Sequence, residues 1–127
     1  MRLLGIDYGA KRIGLATASS EDGIAFPLRT VHNSKETVEE IARIVLQEGS
    51  SAIVIGESRD YSGKDNPIMK QVRIFAEDLR RITGLPIYFQ PEFMTSVQAA
   101  RGQGMNANLD ASSAAIILQA FIDSKKK

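Results

Sequence analysis

Four acids, Asp7, Glu57, Glu92 and Asp110, are the groups in this chain best suited to metal binding or catalysis. Asp7 closes the apolar run Leu3-Leu4-Gly5-Ile6 and is followed by Gly9 and by the cations Lys11 and Arg12. A carboxylate in a buried strand is costly unless a cation accompanies it. A divalent metal would meet that need, and a salt bridge to Lys11 or Arg12 is the structural rival. Hard ions such as Mg²⁺ or Mn²⁺ prefer oxygen ligands, and Mg²⁺ commonly takes one or two carboxylates plus water and substrate phosphate. A pair of such ions about 4 Å apart would activate a water and stabilise the leaving oxygen of a phosphodiester. The other three acids have plainer readings as well. Asp110 reads as the N-cap of an apolar helix, Glu57 opens a polar stretch, and Glu92 merely follows Pro91.

Rival chemistries are thinly supplied. There is no cysteine, and the single histidine, His32, precedes a helix cap and reads as structural. A thiol nucleophile is therefore excluded and a histidine-based triad is disfavoured. Lys11 and Arg12, with Arg59 and Lys64 in the polar stretch, are candidate phosphate contacts. Their bland alternative is a solvated surface.

The elements that must position these groups follow from patterning. Leu3 to Tyr8 reads as a strand, Gly9-Ala10 as a turn, and Arg12 to Thr17 as the second arm of a hairpin. Ile24 to Val31 is a third strand, and Pro27 within it suits an edge. Asn33 with Glu36 three residues on reads as a capping pair, opening a helix with Val38, Ile41, Ala42 and Val45 on one face. Gly49 ends that helix. Ala52 to Gly56 is a short apolar, largely β-branched run, the pattern of a buried parallel strand. Glu57 to Asn66 reads as an exposed loop, and Pro67 as the first position of a second helix with Ile68, Val72, Phe75, Ala76 and Leu79 inward. Gly84 stops it, and Pro86 to Gln90 is a fifth strand. Ser96 to Arg101 reads as a short helix, Gly102 to Asn108 as a loop, and Asp110 caps a last helix striped by Ala114, Ile117, Leu118 and Phe121.

Right-handed crossovers then give an α/β fold, a five-stranded mixed sheet of order 3-2-1-4-5 flanked by helices. Ligands of such sheets bind outside the carboxyl ends of the strands, where strand order reverses. Asp7, Glu57 and Glu92 all lie near those ends, and Asp110 heads a helix able to pack against the same edge.

Composition bounds the rest. At 127 residues, 43% hydrophobic and 24% charged, the whole chain is expected to form one domain with a proper core. The net charge of +1 leaves any nucleic-acid contact to a local basic patch. The lack of cysteine fits a reducing cytoplasm. No apolar run approaches the roughly 18 residues of a membrane span, and no signal-peptide pattern opens the chain. Lys125-Lys126-Lys127 reads as a solvated end.

The segment Gly5-Ile6-Asp7-Tyr8-Gly9 with Lys11-Arg12-Ile13-Gly14-Leu15-Ala16 resembles the opening signature of the YqgF/RuvX family. Phe75-Ala76, Thr95-Ser96, and Asp110 with Ala114-Ala115 and Ile117-Leu118-Gln119 extend the likeness over nearly the whole chain. That family comprises proposed pre-16S rRNA nucleases and Holliday-junction-resolvase-like proteins of ribonuclease H-like fold. The resemblance implies Mg²⁺ or Mn²⁺ held by Asp7, Glu92 and Asp110, and substrate contacts at Thr95 and Ser96. Two departures stand out. Family members usually carry Asp-Glu-Arg where this chain has Pro91-Glu92-Phe93, and Gly-Leu-Pro where it has Gly56-Glu57-Ser58. Glu57 then falls where related RuvC-type resolvases, as the resemblance implies, carry a catalytic glutamate, and it is expected to replace the missing acid in part.

The expected activity is metal-dependent cleavage of structured nucleic acid, with the 5′ end of pre-16S rRNA as the leading substrate and branched DNA as the alternative. A catalytically weakened RNA-binding protein is the non-enzymatic alternative. The Asp-x-Gly pattern also resembles the phosphate loop of actin-like kinases, but those need two such domains. A monomer or a homodimer would serve, and junction cleavage would favour a two-fold dimer, with Phe93 and Met94 as interface candidates.

Overall fold

The structure, a computed structural model, describes residues 1–59, 67–93 and 107–125. Its elements are β1 (Arg2–Tyr8), β2 (Arg12–Ser19), β3 (Ile24–His32), α1 (Thr37–Glu48), β4 (Ala52–Arg59), α2 (Met69–Thr83), β5 (Ile87–Phe93) and α3 (Ala107–Lys125). They form a five-stranded sheet of order β3-β2-β1-β4-β5, with β1 central as its patterning requires. β1 runs antiparallel to β2, and β2 to β3, whereas β1–β4 and β4–β5 are parallel.

Alternation along the strands separates two unlike faces. Leu4 and Ile6 of β1, Ile13 and Leu15 of β2, and Ile53 and Ile55 of β4 point to one side, against Ile41, Ile44 and Val45 of α1 and Val72, Phe75 and Leu79 of α2. Burying each such side chain contributes about 1.5–3 kcal/mol. The other face is built from smaller residues. Leu3, Ala16, Ala18, Ala52 and Val54 meet Ala114, Ile117, Leu118, Phe121 and Ile122 of α3. A Cβ added at Gly5 would lie 2.8 Å from Leu118 Cβ and 3.1 Å from the Ala114 carbonyl. Helix α3 therefore lies unusually close to the sheet.

The element ends depart from the pattern-based expectations in instructive ways. β4 and β5 run on into polar residues because they pair with each other there, Glu57 with Pro91, Ser58 with Glu92 and Arg59 with Phe93. Glu57 thus belongs to a strand rather than to a loop, and Glu92 lies inside β5 rather than after it. Pro27 does occupy an edge strand, where the register with β2 shifts between Leu15 and Ala16 and leaves Leu28 extra. The Asn33–Glu36 capping box does not form. Instead the Thr37 hydroxyl donates to the His32 carbonyl (3.0 Å) and accepts from the Ser34 N–H (2.6 Å). Pro67 and Ile68 form a turn, and α2 begins at Met69. Gly49 and Gly84 end α1 and α2 in left-handed backbone (φ 66° and 70°) as expected.

One surface contact predicts a pH effect. The Met1 ammonium hydrogen-bonds Glu21, and with the Ser19 hydroxyl it lowers the Glu21 carboxyl from 4.5 to about 2. A carboxyl whose folded pKa is depressed stabilises the fold above its unfolded value and loses that contribution as pH falls through the folded one. Acid titration of Glu21→Gln should therefore show a flatter loss of stability between pH 4.5 and about 2 than the parent chain. Equal slopes would show that this exposed pair contributes nothing.

Candidate active site at the carboxyl end of β1

Asp7 is the penultimate residue of β1 and is 6% exposed. It belongs to the row Leu3, Gly5, Asp7, which faces α3. Its direct partner on β2 is Gly14. Partners across an antiparallel pair have Cα atoms about 4.5–5.5 Å apart. A Cβ at Gly14 would lie 2.0 Å from the Asp110 carbonyl oxygen and 2.4 Å from its carbon. The first turn of α3 thus rests on bare backbone beside Asp7, and Asp110, 2% exposed, is buried there with it. Ser113, one turn on, is also buried.

Asp110 is a correction to the N-cap expectation. Helix α3 begins at Ala107, so Asp110 lies within the first turn with its side chain turned inward. The positive end of the helix favours a carboxylate in that turn. Arg12, on the same face of β2, brings its Nε to 2.8 Å from Asp110 Oδ2. Of the two cations that patterning offered, Lys11 and Arg12, the second pairs with Asp110.

The remaining candidates distribute unevenly. Glu92 pairs with Ser58, and alternation from Val54 through Gly56 puts that register position on the α3 face with Asp7. It stands about 10 Å across the sheet and about 7 Å further along, two strands and two residues away. Glu57 follows Ile53 and Ile55, which face α1 and α2. Alternation therefore places Glu57 on the face opposite Asp7, so the strand register does not bring it to that acid. Replacing it by Gln is expected to change cleavage by no more than about twofold, because strand alternation keeps it on the face away from Asp7. A loss comparable to that of an Asp7 variant would reverse this assignment.

Lys11 is exposed in the β1–β2 turn. Asn33 pins that turn twice, its N–H donating to the Lys11 carbonyl (2.9 Å) and its side-chain amide to the Gly9 carbonyl (2.9 Å). This positioning role was hidden in the sequence behind a capping motif. Arg59 lies in β4 opposite Phe93, while Lys64, Met94, Thr95 and Ser96 fall outside the described residues, as do the short helix expected over 96–101 and most of the loop expected after it. His32 is exposed, and its backbone carbonyl accepts from the Thr37 hydroxyl at the start of α1.

Among the described residues no three acids or histidines converge on one point. The nucleus of the site is the pair Asp7 and Asp110, buried over Gly14 with Arg12 at its rim. Its donors are hard carboxylate oxygens without sulfur or imidazole. That donor set fits a Mg²⁺-type ion, which needs few protein ligands. Among the described residues, no helix is long and apolar enough to cross a membrane.

Comparison with known proteins agrees with this fold. The family model for RuvX, described as Holliday junction resolvase, matches residues 1–124. A protein of Nitratidesulfovibrio vulgaris (strain Miyazaki F) named "Putative pre-16S rRNA nuclease" is 35% identical over 133 residues, covering 97% of this chain and 94% of its own. A Rickettsia canadensis protein of the same name is 34% identical over 136 residues, covering 99% and 88%. Among solved structures, Thermus thermophilus RuvC bound to a Holliday junction substrate superposes with a TM-score of 0.62 at 17% identity, covering 99% of this chain and 96% of that one. Fowlpox virus resolvase with junction DNA gives 0.59 at 8% identity over the full length of both. These likenesses show the ribonuclease H-like fold that the family resemblance implied, with the same strand order. Divalent-metal dependence is general to nucleases of this kind. With a family match over residues 1–124 and relatives sharing a third of its residues, the chain belongs to the RuvX family of nucleases.

Proposed function

We propose that this protein is an endonuclease, dependent on Mg²⁺ or Mn²⁺, that trims the 5′ end of precursor 16S rRNA in the cytoplasm. The observation that carries the reading is the burial of Asp7 and Asp110 together, over Gly14, where strand order reverses. Asp7 and Asp110 hold the ion, and Glu92, at its register position on β5, is the third acid assigned to the site. When bound, such an ion supplies positive charge to the scissile phosphate and acidity to an attacking water. Lys11, held out on the pinned β1–β2 turn, steadies a neighbouring phosphate. Arg59, Lys64, Thr95 and Ser96 are the further substrate contacts of this reading.

The RNA substrate is favoured by the name carried by relatives that match nearly end to end. The family description favours branched DNA as the second reading. A single cut in RNA needs one copy, so the monomer suffices, whereas symmetric cutting of a junction needs a two-fold dimer. The deciding experiment offers the purified chain a precursor RNA with a 5′ extension, and separately a four-way DNA junction, each with Mn²⁺ or Mg²⁺. RNA cleavage that disappears with Asp7→Asn is the expected result. Paired cuts in the junction with intact RNA would replace it with the resolvase reading.

A further inference from the structure

We propose that Arg12 is the resident counter-cation of this site, holding Asp110 in the metal-free protein and giving up that contact when a divalent ion binds. The inference rests on the metal site proposed above and adds a regulator of its occupancy. Two carboxylates buried on one face are costly to fold without nearby positive charge. Arg12 supplies it from β2, with Nε 2.8 Å from Asp110 Oδ2. The two partners differ in one useful respect. The Asp110 side chain is 3% exposed, whereas that of Arg12 is 36% exposed and has a way out to solvent. The guanidinium can therefore leave while the carboxylate stays.

A guanidinium and a divalent ion sharing one carboxylate repel each other, so the resident cation lowers apparent metal affinity. The same charge makes the metal-free fold tolerable. Arg12 is thus a positioning residue rather than a catalytic one, and it ties metal uptake to a side-chain movement. The opening signature also gains a reason for carrying Arg12 two residues before Gly14. Both face α3 on the same strand, one admitting Asp110 and the other neutralising it.

The test reads metal binding, not cleavage. Thermal unfolding of the full chain is measured in EDTA and in saturating Mn²⁺, and the Mn²⁺ dissociation constant by calorimetry. For Arg12→Gln the expected result is a lower melting temperature in EDTA, a larger rise on adding Mn²⁺, and Mn²⁺ binding about tenfold tighter. Arg12→Lys, which keeps the charge, should stay within about twofold of the parent affinity. Equal destabilisation with and without Mn²⁺ would reduce Arg12 to a packing residue, and weaker Mn²⁺ binding by Arg12→Gln would make it an orienting ligand partner. Either outcome overturns the proposal while leaving the metal site intact. No Mn²⁺ binding by the parent chain would overturn the metal site itself and the proposal with it. Should the Gln variant fail to fold, the parent protein still decides. With ¹⁵N-labelled arginine, the Arg12 guanidinium resonances should move towards those of a solvent-exposed arginine as Mg²⁺ saturates, and unmoved resonances would refute the exchange.

Discussion

Asp7→Asn is expected to lower metal-dependent cleavage by about 10²- to 10³-fold while leaving the protein folded. Asparagine keeps the shape of the side chain and removes the charge that a divalent ion requires. Asp7 is 6% exposed at the end of β1 and faces the buried Asp110 side of the sheet. An amide there costs less to bury than a carboxylate, so the melting temperature in EDTA should hold or rise. Stabilisation by Mn²⁺ should vanish, because a ligand that binds only the folded state stabilises in proportion to its occupancy. Cleavage and Mn²⁺ stabilisation both surviving in this variant would mean that the metal sits elsewhere.

Gly14→Ala is expected to be the most damaging single-methyl change in the sheet. The new Cβ would meet the Asp110 carbonyl oxygen at 2.0 Å and its carbon at 2.4 Å. Those are backbone atoms of a helix and cannot rotate aside, so the start of α3 must lift off β2. Overpacking of this kind costs about 1–3 kcal/mol, and Gly14 belongs at or above the upper end because no side chain can yield. A displacement of about 1 Å at the reacting groups is enough to lose about 10²-fold in rate. Gly5→Ala makes the control. Its Cβ would crowd Leu118 and Ala114 at 2.8 and 3.1 Å, further along α3 from Asp110. Both variants should melt earlier, but only Gly14→Ala should lose cleavage in the fraction that remains folded. Equal specific activity in the two would separate helix placement from the chemistry.

Much of this architecture was legible before any coordinates. Apolar runs at Leu3–Ile6 and Ala52–Ile55 and the helical stripes around Ile41, Phe75 and Leu118 suffice to give the strand order, because crossover handedness leaves few alternatives. Asp7 stood out since a strand interior rarely holds an acid. The errors share one cause, which is that tertiary contact overrode a local motif. Asp110 looked like a cap because an acid before an apolar helix usually is one, yet the helix starts earlier, at Ala107. Asn33 looked like a cap too, and its amide instead fastens the β1–β2 turn. Glu57 seemed to open a loop, whereas pairing with β5 extends the strand and fixes its face. The purpose of Gly14 could have been suspected, because a glycine inside a strand often marks a close backbone approach. What approaches it could not be read from spacing.

The close seating of α3 also bears on the order in which the molecule forms. Asp7 and Asp110 come from opposite ends of the sequence, and the contacts of α3 with β1 close long loops. Such contacts form late, after the entropy of closing those loops has been met. Until α3 docks, Leu3, Ala16, Ala18, Ala52 and Val54 present a bare apolar surface. Under the site assignment given above, a chain lacking docked α3 also lacks half of its acid pair, so a folding intermediate would have no competence to cut RNA. Nuclease activity would then appear only with the last cooperative step of folding, and hydrolysis would report native docking more stringently than helix content does.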